Sequence, residues 1–491
     1  MTQALGHALD AACRRFEGVA LWAEGGQYGY GQLDALAGEV AARLRAAGLQ
    51  ADEPVHVMVS SQPLDIVAML GVWRAGGVVV AVHRSSPAAL TAALERRTGA
   101  RWRIDLQAQP VDAGALSCVS AQPPPRRALL HDAALIIFTS GSTGEPKGVV
   151  IGHDAFLAKL GHIQSLLRFG ADDRVLLVLN LSFGFGLWVS LLTLLHGGTL
   201  CMAPKFEASG FVATLANDRI TRVGVVPTML RMLFADPQLG GAIDRVVQLA
   251  QLRQILIGGE ALGLSLGALI RARFAGCELI DIYGLTETST CDFFAFPADA
   301  AAAPGSIGRP GPQVSYRIVD AQGREIDGPQ AGELQLRSPT LMAGYLDAPA
   351  LTDASVQDGW FRTGDLARRR EGGQVELMGR LKELISRGGN KVTPVEIEQA
   401  ICAHADVAAA MAVGVADALL GERIHVLIVP RAGSVVSLPA LRQHLASRLE
   451  RFKQPDAFHL ADALPLGRTG KADRGQFRSL IEAGASQPVV G

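Results

Sequence analysis

FTSGSTGEPKG, residues 138–148, follows directly on the apolar run Ala134-Leu135-Ile136-Ile137-Phe138. The run reads as a buried strand that delivers a hydroxyl-rich loop carrying one cation. Gly141, Gly144 and Gly148 let the backbone turn tightly and bring N–H groups up to an anion. Thr139, Ser140, Ser142 and Thr143 add hydroxyl groups, and Lys147 adds a positive charge. This composition suits a polyphosphate cradle; it also suits a solvated Gly/Ser turn. It is not a Walker A loop, because Glu145 and Pro146 separate Gly144 from Lys147 and a glycine follows the lysine.

Working outward, the flanking sequence alternates strand and helix patterns. On the N-terminal side Pro54–Val59 and Val78–Val82 read as strands, with a helix over Asp65–Ala75 between them. On the C-terminal side a helix is expected over His153–Leu167, followed by strands at Val175–Leu179, Arg222–Val226, Leu252–Ile257 and Glu278–Ile282. The alternation predicts parallel sheets covered by helices. Three strands run into polar or Gly-rich loops, at Thr139, Gly258 and Tyr283, and ligands collect beyond the carboxyl ends of such strands. From about Gly305 the texture turns β-rich (Ser315–Val319, Gly332–Leu336, Gln374–Leu377), as in a small barrel-like part. Residues 106–126, with Pro123-Pro124-Pro125, read as a surface connection. The last stretch predicts a helix capped by Thr393 with Pro394 in its first turn, and a further helix over Leu438–Arg451.

Length and composition bound the rest. At 491 residues, two or more domains are expected. The chain is 49% hydrophobic and 19% charged, as a globular enzyme is. A net charge of -1 argues against nucleic acid or an anionic membrane as the main partner. The six cysteines are scattered, without metal-ligand spacing, and suit free thiols in a reducing compartment. The N-terminal segment mixes charge early and lacks a signal-type apolar core, which points to the cytoplasm. The uncharged stretch Val175–Leu195 is long enough to span a bilayer, but Asn180, Ser182, Gly184 and Gly186 break it into a buried strand, a bend and a core helix.

Six segments then occur in order: TSGSTGEPKG (139–148), YGLTET (283–288), GELQLRSP (332–339), GWFRTGDL (359–366), GRLKELISRGGNKVTPVEIE (379–398) and LGRTGKADR (466–474). Together they resemble the adenylate-forming acyl-CoA synthetases, the superfamily shared with peptide-synthetase adenylation domains and beetle luciferases. The resemblance implies an α/β protein with two domains. A large N-terminal domain, residues 1–381, would hold the α/β sheets, the small β-barrel-like part and the ATP and acyl sites. A small mobile α+β domain, residues 382–491, would carry the catalytic lysine.

It also implies chemistry. A carboxylate attacks the α-phosphate of Mg-ATP to give acyl-AMP and pyrophosphate, and a thiol, usually of coenzyme A, then displaces AMP. Bringing an anion up to a polyanion needs charge neutralisation and alignment. By resemblance Lys471 is the catalytic lysine. Thr139, Ser140, Gly141, Ser142, Thr143, Gly144 and Lys147 would grip the β- and γ-phosphates. Thr286 and Glu287 would hold the α-phosphate and Mg²⁺, although the pair also suits a capped helix start. Asp365 would take the ribose hydroxyls, and Arg380 the ribose or phosphates. Gly258, Gly259 and Glu260 would wall the adenine slot, the glycines letting the base lie flat on the backbone. Tyr283, beside Gly284, would stack on the other face, and Asp281 would accept from the adenine amino group. Core packing accounts for Tyr283, and an ordinary strand-end acid for Asp281, without any ligand. Lys382 matches the hinge, and the Gly388-Gly389 strand would line the pantetheine tunnel.

The acid is less clearly written. No carboxylate occurs at Phe183-Gly184-Phe185-Gly186, where amino-acid-activating relatives place an aspartate, and the run is similar to that of benzoate-type CoA ligases. Phe183, Gly186, Val226, Pro227, Thr228, Ile257, Gly258, Gly284 and Leu285 are the candidate acyl-pocket residues. They are mostly apolar, so an aryl or short-to-medium aliphatic carboxylate is expected. The partners implied are that small acid and CoA, with an acyl carrier protein as the alternative acceptor. A catalytically silent nucleotide-binding homologue is the remaining alternative.

Overall fold

The computed structural model describes residues 4–108, 113–139, 146–236, 238–239, 241–243, 246, 251–467 and 472–489. Two large sheets form its body. The first has seven strands, ordered Gly344–Tyr345, Lys147–Gly152, Ala133–Thr139, Val78–His83, Pro54–Val59, Trp102–Ile104, Leu116–Cys118. Its centre, Ala133–Thr139 to Trp102–Ile104, is parallel, and antiparallel strands close both sides. The second has nine strands with a parallel centre running through Glu278–Tyr283, Gln254–Gly258, Arg222–Val225, Arg174–Leu177, Thr199–Met202 and Val19–Ala23. After their first residue, the central strands Gln254–Gly258, Arg222–Val225 and Arg174–Leu177 hold only buried aliphatic residues and glycine, as strands covered on both faces must.

The helix expected at His153–Leu167 has those bounds, and the 315–319 strand is also as read. The stretch 175–195 resolves into the strand Arg174–Leu177 and the twelve-residue helix Gly184–Leu195, whose Leu187–Leu194 segment is fully buried in the main core. Among the described residues no helix is long and apolar enough to cross a membrane. The six cysteines are free.

Two of the expected spans need correction. The connection at 106–126 contains a short strand, Leu116–Cys118, antiparallel to Trp102–Ile104. The helix at 438 stops at Ala446, well short of 451. Beyond it the carbonyls of Arg451 and Phe452 accept hydrogen bonds from the Arg387 guanidinium, so this segment turns outward to another element instead of continuing the helix.

The β-rich part is antiparallel: Ser315–Val319, Gly332–Arg337 and Trp360–Arg369 in order, with Val356–Gln357 and Val375–Arg380 both along the far edge of Trp360–Arg369. After Arg380 a separate five-stranded sheet begins, around the long hairpin Val407–Asp417 and Gly421–Pro430. It has its own apolar core, built on Ile385, Ile397, Val426, Leu441 and Phe458. Thr393 stands at the N-cap of Pro394–Cys402 but caps nothing with its side chain; its hydroxyl is buried without a partner, and its Cβ and methyl group lie beside Gly379.

Candidate active site

The carboxyl ends of Gln254–Gly258 and Glu278–Tyr283 lie side by side, with Gly258 paired to Ile282 and Ile257 to Asp281. Tyr283 ends its strand and donates its hydroxyl to Asp365 Oδ2 at 2.6 Å. Asp365 and Arg380 face each other across adjacent antiparallel strands, and Arg380 Nε lies 3.1 Å from Asp365 Oδ1. Tyr283, Asp365 and Arg380, spread over a hundred residues of chain, thus form one cluster. Asp365 is 4% exposed. Burial raises its carboxyl above the usual range, and the Arg380 charge and the Tyr283 hydroxyl pull it back. Burial, helped by the Asp365 carboxylate, pushes the Tyr283 phenol well up. Burial also pushes Asp281 up, to about 7.

Thr286 and Glu287 sit in a single tight turn, Thr286–Thr288, right after this strand. Glu287 Oε1 accepts a hydrogen bond of 2.9 Å from the Tyr345 hydroxyl, and its backbone carbonyl accepts one from the Met342 N–H at 2.8 Å. Lys147 Nζ stands 5.5 Å from the centre of the Tyr345 ring, a cation–π distance. Lys147 opens the strand Lys147–Gly152 and pairs with Thr139 across the hairpin. Tyr345 therefore joins the Lys147 ammonium to the Glu287 carboxylate. It lies just past the 332–339 match; its register with Val149 places it here. One carboxylate, with an oxygen left for a ligand, fits Mg²⁺ held mainly by substrate phosphates.

Lys382 lies in the turn Leu381–Glu383 and is exposed. Desolvation, the neighbouring Arg380 and, more weakly, Lys147 hold its ammonium below the ordinary lysine range. Ser140, Gly141, Ser142, Thr143, Gly144 and Lys471 lie outside the described residues. Leu466 and Ala472 form an antiparallel bridge, and Arg474 just beyond it pairs with Glu383 and Glu398.

Several glycines do a different job from the one expected. A Cβ on Gly258 would sit 2.4 Å from the Ile282 carbonyl oxygen, so glycine is required there by the neighbouring strand, whatever lies on the slot side. A Cβ on Gly186 would meet the Asn180 carbonyl oxygen at 2.4 Å; it permits the tight entry into its helix. Gly388 and Gly389 do not form a strand. They are the turn of the hairpin Ile385–Arg387/Asn390–Val392, at φ +56° and +81°, in open space. Beside this turn is a cavity of about 590 Å³ lined by Arg387, Gly388, Asn390, Leu420, Arg451 and Phe452, among others.

Of the residues expected at the acyl pocket, Phe183 precedes the helix Gly184–Leu195 and is half-buried. Phe185 stacks on Trp188, centroids 5.4 Å apart and planes 6° apart, and is thereby committed to packing. Val226, Pro227 and Thr228 are buried at the start of the helix Pro227–Ala235. The Thr228 hydroxyl donates to Glu260, at 2.8 Å to Oε2, and Arg231 NH1 reaches the same oxygen at 3.2 Å. Arg231, 28% exposed, was not signalled by the sequence motifs. Its position one helical turn beyond Thr228 was the available clue.

Residues 9–346 match the family described as AMP-binding enzyme, and residues 396–471 match the AMP-binding enzyme C-terminal domain. The chain is 36% identical over 374 residues to a sulfoacetate–CoA ligase of Cupriavidus necator, covering 75% of this chain and 71% of that one. It is 30% identical over 501 aligned positions to a fatty acid–[acyl-carrier-protein] ligase of Streptomyces coeruleorubidus, covering 96% and 95%. Among solved structures, ATP-bound MatB from Rhodopseudomonas palustris superposes with a TM-score of 0.85 at 26% identity, covering 98% and 99%.

Proposed function

Since the chain belongs to the AMP-binding enzyme family and is an AMP-forming acyl-CoA ligase, we propose that it activates an aryl or short-to-medium-chain carboxylate as acyl-AMP, releases pyrophosphate and passes the acyl group to CoA. The observation that carries this reading is the convergence of Tyr283, Asp365, Arg380, Glu287 and Lys147 at the carboxyl ends of the parallel strands. In it Asp365 takes the ribose hydroxyls and Arg380 the ribose or phosphates. Tyr283 and the Gly258–Glu260 segment flank adenine, and Asp281 meets its amino group. Thr139 to Gly144 and Lys147 hold the outer phosphates. Thr286 and Glu287 hold the α-phosphate and Mg²⁺, which when bound would neutralise the phosphate charge. Lys471 bridges carboxylate and α-phosphate. The domain from Lys382 onward swings about that residue between the two half-reactions, and the Gly388-Gly389 turn borders the path of the thiol arm.

The apolar character of Phe183, Val226, Pro227 and Leu285 supports an apolar acid. A second reading, an acid bearing a second anionic group, rests on Arg231 at the Thr228–Glu260 wall, where such a group would compete with Glu260 for the guanidinium. Sulfoacetate, the substrate named for one relative, is of that kind. The acceptor is CoA in this proposal; a carrier-protein phosphopantetheine is the alternative that the Streptomyces relative supports.

The test is pyrophosphate release over aryl, aliphatic, dianionic and amino acids, each with CoA and with a carrier protein. Best turnover of an apolar acid with CoA is expected. Best exchange with amino acids, or no thioester on CoA, overturns the assignment. Lys471→Ala is expected to cut adenylation roughly 10²–10³-fold while ATP still binds, as loss of a group that stabilises developing charge does. Lys147→Ala should cost less, and the reverse ranking would reassign the bond-making role.

A further inference from the structure

The segment after Glu287 is bent in an unusual way. Ser289, Thr290 and Cys291 are three consecutive non-glycine residues with positive φ, at 59°, 75° and 45°. L-residues avoid this region, so something must hold the run in place. Local bonds do part of this: Ser289 N–H to Thr286 O at 3.0 Å, Thr290 N–H to Leu285 O at 2.8 Å and Asp292 N–H to Tyr283 O at 2.7 Å. Gly284 lies so close to the run that a Cβ there would be 2.2 Å from the Cys291 nitrogen. Thr286 and Glu287 are thus the outer arc of a coil folded back on its own strand.

The coil is anchored by an ion pair buried beneath it. Lys159 Nζ lies 2.8 Å from Asp292 Oδ1 and 3.4 Å from the Cys291 carbonyl oxygen, while Asp292 Oδ2 accepts from the Thr288 hydroxyl. Lys159 is 1% exposed and Asp292 0%. Lysine and aspartate are seldom buried so completely, and such a pair seldom stabilises a fold better than apolar residues would. Lys159 is on the helix His153–Leu167, which continues directly from the strand Lys147–Gly152. The same arm therefore carries the cation beside Tyr345 and the cation under the coil.

We propose that Lys159 is a positioning residue for adenylation: through Asp292 it holds the Gly284–Asp292 coil in the strained form that presents Thr286 and Glu287 to the phosphates, and it fixes that coil to the Lys147 arm. This rests on the adenylating role given to the site above. Removing one partner alone leaves a buried charge uncompensated, whereas removing both leaves an apolar contact that folds. The informative variant is therefore the double Lys159→Met/Asp292→Leu, beside the single Lys159→Met.

The experiment compares ATP–pyrophosphate exchange, its Mg²⁺ dependence, thermal stability and thioester formation from supplied acyl-adenylate. Displacement of aligned groups by about 1 Å costs roughly 10²-fold in rate. The double variant should melt close to wild type, lose exchange by that factor, need more Mg²⁺ for half-maximal rate, and still convert supplied acyl-adenylate within about twofold of wild type. Wild-type exchange in the double variant overturns the proposal, and so does an equal fall in both half-reactions. A wild-type chain without exchange on any acid overturns the adenylating role itself, and does so before any variant is compared.

Discussion

The coil Tyr283–Asp292 and the hairpin Ile385–Val392 both border the proposed reaction, yet they are built in opposite ways. The coil is closed by backbone bonds and underlain by the Lys159–Asp292 pair, and its neighbours Asp365 and Tyr345 bond inward to it. The hairpin is held on its first arm, where Ser386 N–H bonds Glu422 at 2.6 Å, and at its turn by a backbone bond, Gly388 N–H to Leu420 O at 2.8 Å. Its tip, Gly388 and Gly389, has no atom within 4 Å of where a side chain would begin. A step that aligns charged groups needs fixed partners. A step in which one ligand leaves and another arrives needs a surface that is not already engaged. The contrast therefore assigns alignment to the coil and exchange of partners to the hairpin.

The strongest test of this contrast is Asp365→Ala. It removes the common partner of Tyr283 and Arg380, each bond to a charged group contributing about 1.5–3 kcal/mol. The KM for ATP in pyrophosphate exchange should rise roughly 10- to 100-fold. An unchanged KM would mean that the cluster is packing only.

Gly389→Ala should act on the other side. A side chain at this positive φ costs about 1–2 kcal/mol but meets no neighbour. Thioester formation should slow by up to roughly tenfold while adenylation is spared. Equal loss in both half-reactions would erase the division.

Asp281→Asn sharpens the picture of the rigid half through stability. Burial raises the Asp281 carboxyl from 3.8 to about 7. Between these values the folded chain binds more protons than the unfolded one. The contribution of the protonated group is therefore complete below about pH 4 and is lost as pH rises through 7. The asparagine cannot ionise, so the substituted chain should melt about 1–3 °C above wild type at pH 8 and converge with it below about pH 4. Parallel melting curves against pH would show that Asp281 is already solvated.

Much of this was legible in the sequence. Periodicity and glycine placement located the strands, and the motif order located the residues that the structure brings together at Tyr283, Asp365 and Arg380. Residues whose meaning depends on a distant partner were not legible. Lys159 and Asp292 meet across 133 positions, and Tyr345 and Glu287 across 58. No local pattern encodes such a meeting. A partial signal did exist at Lys159, which interrupts the apolar stripe Phe156, Leu160, Ile163 and Leu167 of its own helix. Glycine was the other source of error. Gly186 and Gly258 look like space left for a ligand, but their missing side chains make room for carbonyl oxygens of the chain itself. Sequence shows that a side chain is absent and not what occupies its place.

The hairpin of Ala133–Thr139 with Lys147–Gly152 has a consequence for how this protein can vary. Thr139 and Lys147 are opposite one another, so the two ends of the intervening segment stay one strand spacing apart whatever its length. Residues gained or lost between positions 140 and 146 would leave both ends in register. A single residue gained or lost within Lys147–Gly152 would turn Lys147 to the opposite face of the sheet, away from Tyr345. A length change before that lysine would therefore act only through the intervening residues' own contacts, whereas one after it would misdirect the lysine as well.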